Sequence, residues 1–360
     1  MLFKLSKEKI ELGLSRLSPA RRIFLSFALV ILLGSLLLSL PFVQVESSRA
    51  TYFDHLFTAV SAVCVTGLST LPVAHTYNIW GQIICLLLIQ IGGLGLMTFI
   101  GVFYIQSKQK LSLRSRATIQ DSFSYGETRS LRKFVYSIFL TTFLVESLGA
   151  ILLSFRLIPQ LGWGRGLFSS IFLAISAFCN AGFDNLGSTS LFAFQTDLLV
   201  NLVIAGLIIT GGLGFMVWFD LAGHVGRKKK GRLHFHTKLV LCLPHANVAR
   251  RTIAPRTVQK SFSVFIIFLM SFLIGLILLG ITAKGNPPFI HLVFETISAL
   301  STVGVTANLT PDLGKLALSV IMPLMFMGRI GPLTLFVSLA DYHPEKKDMI
   351  HYMKADISIG

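Results

Sequence analysis

Charge is scarce in this chain. Asp, Glu, Lys and Arg make up 13% of its 360 residues, and hydrophobic residues make up 53%. Soluble domains carry about a quarter charged residues, so the composition excludes an ordinary soluble fold, although the length would suit two domains. Cysteine is rare as well. Cys64, Cys85, Cys179 and Cys242 form no CxxC pair, and none stands beside His at metal-ligand spacing, which argues against a disulfide framework and a structural zinc. The nine histidines are scattered. GxSxG, P-loop and HExxH motifs are missing, so nothing in the sequence points to an enzyme. No small-residue cleavage site follows the first apolar run, which reads as a full span and not as a cleavable signal.

Long apolar runs fill the space that charge leaves. Six can be marked: 23–42, 78–105, 134–155, 198–219, 261–283 and 316–340. Each is long enough to cross a hydrocarbon core of about 30 Å as a helix. Only two carry a charge, Glu146 and Arg329. The composition and these runs predict an all-α integral membrane protein. The 32 Lys and Arg residues are not spread evenly. Twenty-six lie in 1–22, 106–133, 223–260 and the tail after Ala340, and only Arg49, Arg156, Arg165, Lys284 and Lys315 lie in the opposite set of connections. The positive-inside rule then puts both termini and both basic linkers in the cytoplasm. The net charge of +16 reads as a topology signal with contact to anionic membrane lipid, not as a nucleic-acid surface.

A short frame occurs three times. Phe57, Phe172 and Phe294 each stand ten residues before a glycine: Gly67, Gly182 and Gly304. Ser-Ala stands six and five residues before it, at Ser61-Ala62, Ser176-Ala177 and Ser298-Ala299. Three copies in register mark an internal repeat. The segment before each glycine is too short to span: 52–63, 166–178 and 289–300. Thr51 and Asp54 suit the start of the first as a helix N-terminus. Each unit therefore reads as span, half-helix, glycine turn, span. Irregular backbone inside a membrane cannot face lipid, so the turns should line a water-filled path. The order along the chain becomes an amphipathic lead-in at 1–22, a first unit at 23–105, a basic linker at 106–133, a second unit at 134–222, a second basic linker at 223–260, a last unit at 261–340 and a tail at 341–360.

The turn chemistry suits a dehydrated cation. Inward backbone carbonyls can replace an ion's water shell, glycine tolerates the geometry this needs, and a half-helix aims its partly negative C-terminal end at the turn. The candidate ion-contacting residues are Val65, Thr66 and Gly67, then Asn180, Ala181 and Gly182, then Thr302, Val303 and Gly304. No acidic side chain lies in these turns, which argues against a charged-ring filter. Cys64, Cys179 and Ser301 share one frame position and read as small side chains tucked behind the turns, with a metal- or redox-sensitive site as the alternative. The second spans carry a further mark: Gly92-Gly93, Gly211-Gly212 and, more loosely, Gly328. These glycines follow the turn glycine by 25, 29 and 24 residues, a spacing expected to place them well below it. They are either a close-packing face or the lining of a wide, bendable vestibule. Arg329 either pairs with Glu295 or a backbone carbonyl, or forms a positive barrier in the path. Glu146 is expected to pack against a half-helix as a hydrogen-bond acceptor, with proton transfer as the alternative.

These motifs resemble the Trk/Ktr/HKT superfamily of potassium transporters, most closely the bacterial Ktr-type membrane subunit. The resemblance rests on Val65-Thr66-Gly67-Leu68, Asn180-Ala181-Gly182-Phe183 and Ser301-Thr302-Val303-Gly304. Gln90-Ile91-Gly92-Gly93-Leu94-Gly95, Thr210-Gly211-Gly212-Leu213-Gly214 and the run 327–334 around Arg329 add to it. It implies a potassium-channel-like pore with filter glycines at 67, 182 and 304, the K⁺-selective pattern, and Arg329 as the pore barrier. It also implies K⁺ as the transported ion, Na⁺ as a coupling or activating ion, a homodimer, a cytosolic nucleotide-binding ring as gating partner, and the bacterial inner membrane. The family has four repeats; this chain shows three. Between Gly214 and Ser261 lie 46 residues, too few for a whole unit. His236–Leu241 resembles the entry to a third repeat, and Arg250-Arg251 already resembles the approach to the last. One chain then lacks a quarter of a fourfold filter. Two functions follow: a K⁺ uptake pore subunit, or a non-conducting or regulatory membrane subunit of such a system.

Overall fold

A computed structural model describes residues 19–46, 48–95, 131–187, 190–213, 217–218, 255–285, 287–307 and 309–331. The expected lead-in, both basic linkers, the tail and the ends of the second spans fall largely outside these residues. The described chain is helical, with no strand beyond one isolated bridge between Gln44 and Tyr77.

Ten helices are described: α1 (Pro19–Leu38), α2 (Tyr52–Cys64), the single turn α3 (Val73–Thr76), α4 (Ile79–Leu94), α5 (Leu131–Leu161), α6 (Trp163–Phe178), α7 (Leu198–Gly212), α8 (Pro255–Thr282), α9 (Phe289–Leu300) and α10 (Lys315–Ile330). Two are long and apolar enough to cross a membrane, over Tyr136–Leu161 and Phe262–Thr282, with mean hydropathies of 2.0 and 3.0. Most of the second is exposed on this chain, including Phe265, Leu269 and Ile277. Without water to hide from, such a face costs nothing in lipid.

Local chemistry sets the helix ends. Asp54 reaches back to the Thr51 amide at 2.8 Å and accepts its hydroxyl at 2.7 Å, fixing the start of α2. Asn78 opens α4 by accepting from the Trp80 and Gly81 amides, and its amide donates to the Phe42 carbonyl at 2.6 Å. That last bond ties α4 to the loop after α1. Asp197 opens α7 in the same way and also accepts from Arg156 at 2.7 Å. At their other ends α4 and α10 stop alike, at Gly95 with φ +80° and Gly331 with φ +88°. Hydropathy continues past both glycines, so the sequence gives no sign of these stops. The segments 78–105 and 316–340 are therefore helical only to Leu94 and Ile330 within the described residues.

The helices pack in three sets of the same order: α1, α2 and α4; α5, α6 and α7; α8, α9 and α10. The sets are joined by the last helix of one against the short helix of the next. Thus α4 packs on α6, and α10 packs on α2. No comparable contact joins α7 to α9.

Candidate functional site

The three short helices end in one backbone arrangement. Each passes into a left-handed residue two positions before the glycine: Val65 at φ +56°, Asn180 at +59° and Thr302 at +50°. Its amide bonds back to the frame alanine, at Ala62 (3.1 Å), Ala177 (3.0 Å) and Ala299 (3.2 Å). The next amide bonds to the frame serine carbonyl, at Ser61 (2.9 Å), Ser176 (2.7 Å) and Ser298 (3.0 Å). This pair of bonds is a Schellman closure. Glycine is the usual left-handed residue there, and the β-branched Val65 and Thr302 hold a conformation that costs of order 1–3 kcal/mol. The glycine of each turn comes two residues later, with φ +92° at Gly67, +70° at Gly182 and +77° at Gly304. Ser61 also caps the first turn, accepting from the Gly67 amide at 3.1 Å.

The three turns converge. A Cβ placed on Gly67 would lie 2.5 Å from the Ala181 carbonyl oxygen and 3.1 Å from the Gly182 Cα. One on Gly304 would lie 2.7 Å from the Thr66 carbonyl carbon and 3.0 Å from the Gly67 Cα. One on Gly182 would be 3.5 Å from the Gly67 Cα. Backbones from three distant stretches thus meet at their glycines. Thr66 and Ala181 are fully buried there, and the Thr66 hydroxyl has no hydrogen-bond partner among the described residues. Val303 is exposed.

The second set of glycines sits beside the turns. A Cβ on Gly92 would fall 2.8 Å from the Val63 carbonyl carbon and nearer its oxygen. Gly211 meets Phe178 in the same way, and Gly328 meets Leu300. Val63, Phe178 and Leu300 all stand four residues before their turn glycine. These positions therefore let a helix backbone touch the last carbonyls of a short helix. Their height is level with those helix ends, not well below the turns. The short helix descends about 20 Å, the chain after the turn runs back outward, and the first fourteen residues of α4 descend over about the same rise. Gly93 packs on Cys179, whose Cβ would be 2.7 Å from an added methyl; around Gly212 such a methyl would meet nothing within 4 Å.

Arg329 bridges two sets. Its guanidinium donates to the Gly92 carbonyl and, at 3.2 Å, to the Gly93 carbonyl. Of the two partners expected for it, a backbone carbonyl is the one observed. Glu295 is occupied elsewhere. It is fully buried and accepts from the Thr306 hydroxyl, the Ala307 amide (3.2 Å) and the Thr310 hydroxyl (2.9 Å). It braces the strand of chain that leaves the last turn. The signal for this role was the pair of threonines 11 and 15 residues further on. Glu146 does accept a hydrogen bond, but from Gln90 of α4 at 3.0 and 3.2 Å and not from the neighbouring short helix. Gln90 then accepts from the Cys179 thiol at 3.6 Å. Cys64, Cys85 and Cys179 are buried and free, and the described residues hold no group of three or more His, Cys, Asp or Glu fit for a metal.

At the mouth of the first set, burial raises the Asp54 carboxyl, but hydrogen bonds from the Thr51 hydroxyl and amide outweigh it and hold the group below its ordinary value. Amide bonds from Val200, with Arg156 beside them, hold Asp197 low in the same sense.

Comparison with known proteins fits this geometry. The model of the TrkH family, described as a cation transport protein, matches residues 29–242 and again 234–350. The potassium/sodium uptake protein NtpJ of Enterococcus hirae is 31% identical over 443 residues, covering 96% of this chain and 98% of that protein. The Ktr system potassium uptake protein B of Bacillus subtilis is 30% identical over 453 residues, covering 99% and 100%. Its counterpart in Vibrio alginolyticus is 30% identical, covering 90% and 92%. These alignments are longer than the chain. For the Enterococcus protein, 96% of 360 residues fills about 346 of 443 positions, so about 97 positions face no residue of this chain. The two family matches meet at 234–242. By the family match over most of its length and by these relatives, the chain belongs to the TrkH family of cation transport proteins.

Proposed function

We propose that this chain is the membrane subunit of a Ktr-type potassium uptake system. Its ion path runs through the turns 65–67, 180–182 and 302–304, whose carbonyls take the place of the ion's water shell. The observation that carries this reading is the convergence of three identically closed turns on their glycines. A K⁺-sized ion needs several carbonyls at one level, and the Schellman closures hold each turn rigid at that level. The names of the relatives, two of which read potassium uptake and one potassium/sodium uptake, support K⁺ as cargo with Na⁺ as a second ion.

The finer architecture belongs to the same proposal. Units of span, half-helix and span surround a pseudo-symmetric pore, divided at 23–105, 134–222 and 261–340. Both termini and the basic linkers 106–133 and 223–260 face the cytoplasm of a bacterial cell, and the protein crosses the plasma membrane several times. Gly92, Gly93, Gly211 and Gly328 let the second spans press against the half-helix ends, and Gly212 lines the path with them. Arg329, clamped on Gly92 and Gly93 behind the first turn, adds positive charge under the filter and slows cation flux. A homodimer and a cytosolic nucleotide-binding ring complete the system, as the family resemblance implies.

The roughly 97 positions without a counterpart and the division of the family match into two parts that overlap at 234–242 support the absence of the third of four units. That absence favours a second reading, a non-conducting membrane subunit. Three turns already in backbone contact leave no fourfold ring of carbonyls. A chimera separates the two readings. The third repeat of the Bacillus subtilis potassium uptake protein B is inserted within 236–252, and K⁺ uptake is measured in a host stripped of its own uptake systems. Restored uptake supports the pore reading. A chimera that folds, reaches the membrane and carries no K⁺ supports the non-conducting one.

A further inference from the structure

Residues that stand at one frame position are covered in two sets and bare in the last. Phe57 and Phe172 are fully buried, while Phe294 is 43% exposed. Thr66 and Ala181 are fully buried, while Val303 is 55% exposed. Leu68 and Phe183, just after the turn glycine, are buried, while Val305 is bare. The elements that pack on the first two short helices are known: α10 lies on α2, and α4 lies on α6. Among the described residues, no such helix packs on the corresponding face of α9.

The opposite lip of this seam is α7. In α4 the glycine pair does two tasks. Gly92 receives the short helix of its own set, and Gly93 receives Cys179 at the end of the next one. Gly211 receives Phe178 of its own set in the same way. Gly212, the counterpart of Gly93, faces nothing within 4 Å among the described residues. Gly206, Leu202 and Ile209 continue this bare face. The seam thus asks for two things. Against Gly212 it needs the C-terminal end of a short helix, and over Phe294 it needs the second span of the unit that carries that helix.

The chain's own linker cannot supply them. Residues 223–260 hold ten Lys and Arg, and their longest apolar run, Leu239–Leu243, is far too short to span. A second copy has the same three units and the same seam, so it brings no spare unit. The unmatched positions add up to about 97 along the alignment, a total comparable to one unit with its linker; the first unit runs from 23 to 105.

We infer that the seam between α7 and α9 is a docking site for a separate membrane polypeptide. That partner is one span, half-helix and span with a turn glycine, and it supplies the fourth turn in trans. The inference rests on the uptake reading only for its consequence, a completed filter; docking itself is tested apart from transport. The third repeat of the Bacillus subtilis potassium uptake protein B is expressed as its own polypeptide beside the intact chain. Co-purification in detergent and K⁺ uptake are both measured. The unit co-purifies with the chain, and a cysteine in its second span cross-links to Phe294→Cys. Gly212→Leu, whose Cβ meets nothing within 4 Å among the described residues, lowers co-purification about tenfold or more without lowering the thermal midpoint of the chain alone. Uptake appears only when both polypeptides are present. Failure of the unit to bind, equal binding to Gly212→Leu, or cross-linking of Phe294→Cys only to a second copy overturns the inference. Full uptake by the chain alone overturns it too and leaves the uptake reading standing. Docking that Gly212→Leu blocks, with no K⁺ carried, supports the inference and overturns the uptake reading.

Discussion

Replacing Gly92, Gly211 or Gly328 by Ala tests the close approach of helix backbone to the short-helix ends. A methyl on Gly92 would lie 2.8 Å from the Val63 carbonyl carbon and 2.9 Å from a Val65 methyl. On Gly211 it would lie 2.8 Å from the Phe178 carbonyl carbon; on Gly328, 3.0 Å from the Leu300 carbonyl carbon and 3.0 Å from the Thr302 methyl. Ordinary carbon contacts lie near 3.5–4.0 Å, so the helices must part by about 1 Å or bend. The blocked atoms are backbone, held by the two bonds of each Schellman closure, and cannot swing away as a side chain could. Overpacking of this kind costs about 1–3 kcal/mol, occasionally more. Helix propensity returns up to about 1 kcal/mol for Gly→Ala in a helix interior. The net expectation is a loss of about 1–2 kcal/mol at each site. Gly206→Ala is the internal control. Its methyl meets nothing within 4 Å, so only the propensity gain acts and the chain is slightly stabilised. The thermal midpoint in detergent reads both effects. Three variants as stable as the parent, or a control that falls with them, would refute the close-approach argument.

Four further outcomes are expected. Gly67→Ser puts a side chain where φ is +92° and the Ala181 carbonyl is in contact, so it weakens K⁺ preference over Na⁺ in the uptake assay of the completed pore; an unchanged ratio removes this turn from the filter. Asn78→Ala removes an N-cap and the tie to the Phe42 carbonyl, and costs about 1–2 kcal/mol in a thermal or denaturant scan. Arg329→Gln loses charged hydrogen bonds to the Gly92 and Gly93 carbonyls worth about 1.5–3 kcal/mol and raises flux through the completed pore, whereas equal stability would mean that the clamp is idle. The folded-state value of Asp54 is depressed, so the stability it contributes is full above its unfolded value near 4 and is lost as the pH falls through the folded one. Asp54→Asn therefore flattens part of the acid limb of stability below about pH 4, and Asp197 retains the rest.

Much of the fold could be read in advance where a repeat frame and a breaker coincide. The short helices were expected at 52–63, 166–178 and 289–300, and lie at Tyr52–Cys64, Trp163–Phe178 and Phe289–Leu300. The frame fixes their C-terminal ends because Ser-Ala carbonyls and turn glycine must keep register. The second spans begin within a residue of the expected 78, 198 and 316, and their expected ends lie largely outside the described residues. Apolar composition runs past Gly95 and Gly331, and only the positive φ at those glycines shows that the helix has ended. The left-handed residues were hidden for another reason. Propensity alone would reject Val65 and Thr302 in that conformation, and only the two back-bonds to alanine and serine hold them there. The height of the glycine pairs depends on chain direction, which a count of residues does not carry. The chain leaves the turn outward and returns, so 25 residues bring Gly92 back beside Val63.

The candidate site is thus specified on two separate scales. The local scale is tolerant: valine, asparagine and threonine all occupy the left-handed position, because each turn's hydrogen bonds are satisfied inside its own set. The scale between sets is strict, and it is written in glycine. Gly67 and Gly304 are required by the neighbouring turns, and Gly93 by the next helix end. A position that depends on a neighbour reveals whether the neighbour is there. Gly212 has the residue type that this contact demands and has no contact. Phe294 has the residue type of a fully buried anchor and stands 43% exposed. Both lie on the two lips of one seam. Gly212 and Phe294 are therefore the two positions that the proposed fourth unit would cover.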